Sequence, residues 1–224
     1  MNSKLRLPLI LVVVILILDQ GLKFYVKTNF RLNEIHPIFG NWGFLLFTEN
    51  PGMAFGFKFG GEKGKVALTL FRMLAVGGIA WYLINLAKRN APKGLLMSFA
   101  LILAGAIGNI IDSVLYGLIF GNSGGRIAEF LPLSGGYGKF LRGDVVDMFY
   151  FPIIEGRYPD WFPIMANEPF IFFRPVFNIA DAAITAGVLI ILIFHSKFFK
   201  NPDKAIREME NQSKQETVTP ENIS

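Results

Sequence analysis

The chain has 224 residues, 52% of them hydrophobic and only 17% charged, with a mean hydropathy of +0.44. A soluble domain carries about a quarter charged residues, so this composition indicates a polytopic membrane protein. The net charge of +5 does not imply a nucleic-acid partner, because Lys and Arg cluster at the ends of apolar runs. The absence of cysteine excludes disulfides, thiolate nucleophiles and cysteine metal sites.

In chain order, basic residues 2–6 precede an unbroken apolar run, 7–18. No small-residue cleavage site follows it, so it is not read as a signal peptide. It continues through Asp19, Gln20 and Lys23 to Val26, long enough to cross a hydrocarbon core of about 30 Å. Asp19 and Lys23 are i,i+4 and can pair on one face, either as a snorkelling interfacial pair or as a prop for a nearby site. Residues 28–65 form a first outside segment. Its aromatic, glycine-rich patches at 42–47 and 53–57 suit short strands or a flap on the bilayer. Between them Thr48-Glu49-Asn50-Pro51-Gly52 reads as a turn, the default role for Asn50.

Residues 66–87 are the second expected span, with Arg72 able to snorkel or meet a headgroup. Lys88, Arg89 and Lys93 around Pro92 mark a cytoplasmic connector, like Lys4 and Arg6. The third span, 94–117, has small residues Ala104 and Gly108 at i,i+4, a composition for close helix approach. Asn109 and Asp112 then fall on one face. Residues 118–173 are a long second outside segment with Asp144, Asp147 and Trp161. Pro175 is expected in the first turn of a fourth span, 176–199. Lys197, Lys200, Lys204 and Arg207 again mark the cytoplasm, and 201–224 is expected to be a polar, disordered cytoplasmic tail.

The expected architecture is therefore an all-α polytopic membrane protein. It has four transmembrane helices, both termini cytoplasmic and two extended external loops, with 1–200 as a single membrane-embedded domain. The polar residues of the spans then collect on the external side. Asn178 and Asp181 repeat the i,i+3 pairing of Asn109 and Asp112, and an ionisable residue at membrane depth marks function. Asp147, in RGDVVDMFY (142–150), is the natural partner of Asp181. A transporter with a carboxylate relay would spread its polar residues across the bilayer and often carry internal repeats; neither is seen. A scaffold could place Asp181 at a helix N-terminus for dipole reasons, yet it leaves the repeated pairing unexplained. His36 and His195 are too few and too far apart for a histidine metal site, so no metal is expected and no cofactor is assigned.

Five motifs occur in order: DQGLK (19–23), NPGMAFGF (50–57), GAIGNIID (105–112), VVDMFYF (145–151) and FNIAD (177–181). Together they resemble lipoprotein signal peptidase, or signal peptidase II, an aspartyl protease family of the bacterial inner membrane, over about 7–199. The resemblance implies a catalytic dyad of Asp147 and Asp181. It implies supporting or substrate-contacting roles for Asp19, Lys23, Asn50, Gly52, Asn109, Asp112 and Asn178. It also implies cleavage of prolipoproteins just before a diacylglyceryl-modified cysteine and a small β-cradle on the outer face; a monomer in contact with membrane lipids is expected. Two features depart from the family. Its third motif commonly ends Asp-Arg, but Ser113 follows Asp112, so Arg142 or Arg126 is a candidate for the missing cation. The stretch from Ser113 to Asp147 is also longer than the usual link, and 118–143 includes an expected inserted external loop with a possible role as a lid.

The chemistry agrees with that implication. Amide hydrolysis without Ser, Cys or a metal needs an activated water. Two close carboxylates share one proton, so one can act as base on water while the other polarises the carbonyl. Asn178 is placed to orient the pair or stabilise the oxyanion.

Overall fold

A computed structural model describes residues 3–51, 61–161, 163, 167–172 and 175–198. Gly52, most of the NPGMAFGF motif and the 201–224 tail lie outside the described residues. Helix α1 (Ser3–Asn29) contains the first expected span and extends it at both ends. Strands β1 (Ile35–Phe39) and β2 (Gly43–Asn50) form an antiparallel hairpin, so the aromatic patch at 42–47 is largely strand, as expected. Asn50, read from its neighbours as a turn residue, ends β2 instead.

Helices α2 (Gly61–Lys88) and α3 (Lys93–Ile111) follow, joined by the basic connector around Pro92. The third span does not end as a regular helix. It widens into a π turn, Asp112–Tyr116, and then a last short helical turn, α4 (Gly117–Ile119). Such π turns recur at functional sites because they reorient side chains within an otherwise regular helix. Here the turn buries Asp112 and Ser113.

The second outside segment contributes β3 (Val145–Tyr150) and the hairpin β4 (Ile154–Arg157) and β5 (Pro169–Phe172). A short β6 (Val176–Phe177) leads into α5 (Ile179–Ile193), after which Phe194 interrupts the helix before α6 (His195–Phe198). Strands β1, β2, β3 and β6, in that order, make one antiparallel sheet. An all-helical description thus holds for the spans, while Asp147 itself stands on a strand.

Of the four expected spans, three are met in full. Among the described residues three helices, Ser3–Asn29, Lys63–Lys88 and Lys93–Ile119, are long and apolar enough to cross a membrane. The fourth, α5, has 15 residues and rises about 22 Å, short of a hydrocarbon core of about 30 Å. Its start is set by Asn178, which forms a reciprocal capping box with Asp181. Pro175, expected inside the first turn, therefore precedes β6. Large apolar side chains such as Ile17, Phe71, Leu74, Trp81 and Leu192 stand exposed on these helices, the surface that lipid covers in a multi-pass membrane protein.

Two apolar clusters bracket a polar layer. Val12, Leu83, Leu86, Leu95, Leu96, Ala100 and Leu103 knit α1, α2 and α3 together. Val26, Phe30, Phe47, Tyr116, Phe120, Val146 and Met148 join the end of α1 to the sheet and the π turn. Along α1, Asp19 and Lys23 fall between Val12 and Val26, hence between the clusters. Close approach of α5 to α3 depends on glycine. A Cβ at Gly105 would collide with the Ala180 carbonyl oxygen, and one at Gly187 would lie 2.6 Å from Ser98 O. A Cβ at Gly108 would lie 2.7 Å from Asp19 Oδ2, so Gly108 admits the polar layer as well as a neighbouring helix.

Candidate active site

The pleat of β2 and β3 sorts their side chains. Phe47, Val146 and Met148 are fully buried in the second cluster, while Thr48, Asn50 and Asp147 share the opposite face, Thr48 paired with Asp147. Asn178, ending the turn after β6, lies between this face and α5. Its Nδ2 donates to Asp147 Oδ1 at 2.7 Å, with Asn109 Oδ1 at 3.1 Å and Val146 O at 3.2 Å also in reach. Its Oδ1 accepts from Asp181 N at 2.9 Å, and its own N–H points to Asp181 Oδ2 at 3.4 Å. One buried asparagine therefore addresses both aspartates.

Each carboxylate has a second amide donor. Asn50 Nδ2 reaches Asp147 Oδ2 at 3.2 Å, and Asn109 Nδ2 reaches Asp181 Oδ1 at 2.7 Å. Asp147 is 3% exposed. Burial, and then the charge of Asp181, push its carboxyl up to about 7, against the donors Asn50 and Asn178 and the ammonium of Lys23. Two carboxyls this close titrate as a pair rather than one by one.

Behind the pair sits a closed ionic layer. Lys23 Nζ contacts Asp19 Oδ2 at 2.9 Å, Asp112 Oδ2 at 2.8 Å and Asn109 Oδ1 at 2.9 Å. Asp112 Oδ2 also accepts from Val146 N at 3.2 Å, fixing β3 one residue before Asp147. Asp19 Oδ1 accepts from Ala180 N at 2.9 Å, fixing α5 one residue before Asp181. The Asp19–Lys23 pair is fully buried, which excludes the snorkelling alternative and leaves the prop. Of the residues singled out in sequence, Asp19, Lys23, Asn50, Asn109, Asp112, Asp147, Asn178 and Asp181 all meet here.

Others do not. Asp144 pairs with Lys65 at 2.6 Å. Arg126, exposed on the 120–144 loop, donates to Asn122 O at 3.2 Å. Ser113 is 2% exposed and donates back to Asn109 O at 3.0 Å. Sequence reasoning missed Gln20, whose Nε2 reaches Asp19 Oδ2, Gly108 O and Asp112 Oδ1 at 3.1, 3.1 and 2.9 Å. Tyr116 OH in turn donates to Gln20 Oε1 at 3.2 Å. The available signal was its place inside DQGLK, within an apolar span. Among the described residues no cluster of three or more His, Cys, Asp or Glu is arranged to hold a metal ion.

A family model described as signal peptidase (SPase) II matches residues 11–197. The chain is 45% identical over 188 residues to the lipoprotein signal peptidase of Porphyromonas gingivalis, covering 84% of this chain and 81% of that one. It is 43% identical over 180 residues to that of Amoebophilus asiaticus, covering 79% and 72%. It is 31% identical over 196 residues to that of Syntrophus aciditrophicus, covering 86% and 94%. A bacterial membrane enzyme solved by the in meso method at 2.3 Å superposes with a TM-score of 0.53 at 21% identity, covering 87% of this chain and 91% of that one. With the family model spanning most of the chain and relatives at this identity, the chain belongs to the signal peptidase II family.

Proposed function

We propose that this chain removes signal peptides from prolipoproteins as an aspartyl endopeptidase, with Asp147 and Asp181 as the dyad and the cut just before a diacylglyceryl-modified cysteine. Its membership of the signal peptidase II family supports the signal-peptide cleavage. The observation that carries the aspartyl mechanism is the shared Asn178, which addresses Asp147 and Asp181 together, where burial and the charge of Asp181 push the Asp147 carboxyl up to about 7. The carboxylate of the pair that is ionised takes a proton from water as the water attacks the scissile carbonyl. The protonated partner hydrogen-bonds the carbonyl oxygen as it gains charge, and then gives its proton to the leaving nitrogen. Asn50, Asn109 and Asn178 hold the two carboxyls in orientation, and the Asp19–Lys23–Asp112 layer fixes the strand and helix that carry them.

The same reading gives a monomer in the bacterial inner membrane, in contact with lipid and with prolipoprotein substrates. Both termini are then cytoplasmic and the dyad lies near the external face, in keeping with the basic ends of 2–6 and 88–93. Purified wild type, Asp147→Asn and Asp181→Asn are to be compared on a diacylglyceryl-modified prolipoprotein in detergent. Cleavage by wild type and a loss of at least about 1,000-fold in each folded variant are expected. Full turnover by either variant sinks the dyad.

A further inference from the structure

On the far side of β2 from the aspartates lies a second buried polar group for which hydrolysis has no direct use. Lys27, near the end of α1, is fully buried, and its ammonium pairs with the Glu49 carboxylate. Lys27 Nζ lies 3.2 Å from Ser123 Oγ, and Ser123, 1% exposed, donates to the same Glu49 Oε1 at 2.8 Å. The rings of Phe47, Phe120 and Tyr137 surround the ammonium at 5.8, 5.4 and 4.8 Å. Removing two charges from water costs several kcal/mol per ion, so a buried pair is weak evidence for stability; fixing register is its best-attested use.

The strand pairing identifies what needs fixing. Leu45 pairs with Phe149 but Thr48 pairs with Asp147, so three steps along β2 oppose two along β3. The extra residue is a bulge, and it uncouples the site half of the ladder from the hairpin half. A slip of one residue beyond it would turn Asn50 to the wrong face. Glu49 stands between Thr48 and Asn50, on the face held by Lys27.

The 120–144 loop supplies the remaining contacts. Besides Ser123 it provides Tyr137, whose hydroxyl accepts from Asp144 N at 2.7 Å, just before β3 begins. The loop is itself tied to the π turn and α4: Gly143 N donates to Ser113 O at 2.9 Å and Gly138 N to Gly117 O at 2.8 Å. A Cβ at Gly143 would overlap Asp112 O, so the loop lies directly on the turn.

We propose that Lys27, Glu49 and Ser123 form a register lock through which the 120–144 loop braces β2 and β3, making Glu49 and Ser123 positioning residues for Asn50 and Asp147. The loop is then a fixed brace in place of the lid expected from sequence. The proposal rests on the dyad reading above. To test it, Ser123→Ala, Ser123→Thr, Glu49→Ala, Asn50→Ala and the Glu49→Ala/Asn50→Ala pair are assayed across pH on the modified prolipoprotein, with Asp147→Asn as reference. Expected are a kcat loss of about threefold for Ser123→Ala and about tenfold for Glu49→Ala, with KM nearly unchanged and recovery in Ser123→Thr. The Asn50 amide favours the ionised form of Asp147, so both losses should move the basic limb of the rate profile upward, as Asn50→Ala does. Asp181 on α5 and Lys23 on α1, which also face Asp147, are untouched by these changes. The double variant should be no slower than the slower single. Wild-type kcat and an unmoved limb in Ser123→Ala, with Asp147→Asn inactive, overturn the lock, even if Glu49→Ala fails to fold. An active Asp147→Asn overturns the dyad reading instead.

Discussion

At the scale of single residues, Asn178 does two things at once. Its Oδ1 caps α5 by accepting from the backbone of Asp181, and its Nδ2 donates to Asp147. Loss of the cap alone costs about 1 kcal/mol, whereas loosening two carboxyls costs rate. Burial, and then Asp181, raise the Asp147 carboxyl to about 7, so its protonated form is lost as pH rises through 7. Activity of the wild type is therefore expected to fall on the alkaline side with an apparent pKa of about 7, a property of the pair. In Asn178→Ala the donor that favours ionised Asp147 is gone, so the limb should move upward and kcat should drop by at least about tenfold. A rate profile of both proteins, measured under saturating substrate, decides this; an unmoved limb contradicts the assigned hydrogen bond.

At the scale of elements, the packing of α5 on α3 brings Asp181 to Asn109. That contact exists because Gly105 leaves room for the Ala180 carbonyl. A branched side chain there must push the helices apart. Gly105→Val is expected to cost about 1–3 kcal/mol, read as a lower midpoint of thermal unfolding in detergent, and to reduce turnover. Gly78→Val on α2, where a Cβ would meet nothing within 4 Å, is the matched control and should leave the midpoint nearly unchanged. Equal losses in both would show that helix propensity, and not the α3–α5 approach, sets the effect.

For the whole molecule the fourth crossing decides the topology. Among the described residues three helices have the length and apolarity to span, and α5 is about 8 Å short unless α6 continues its path beyond Phe194. With an even number of crossings both termini lie on one side. A fluorescent reporter that folds only in the cytoplasm, fused to the C-terminus, should therefore light up, and a phosphatase active only outside should stay silent. The reverse pattern would leave three crossings and move the proposed site geometry to a different membrane context.

The sequence by itself determined the apolar spans, the five ordered motifs and the polar residues of the site, because burial of charge in an apolar segment is visible as composition. Asp147, Asp181, Asn109, Asp112 and Asn178 could be picked out that way, and Asp19 and Lys23 paired by their spacing. Tertiary structure alone decided that Asp147 stands on a strand, since the alternation of VVDMFY acquires meaning only when β2 supplies its ladder. It alone showed that Gln20 joins the polar layer and that Arg126 bonds back to its own loop. The same holds for Lys27, Glu49 and Ser123, which lie far apart in sequence and carry no motif. Their meeting depends on a bulge and a loop folded back on a π turn, and such long-range register leaves no local pattern in the chain.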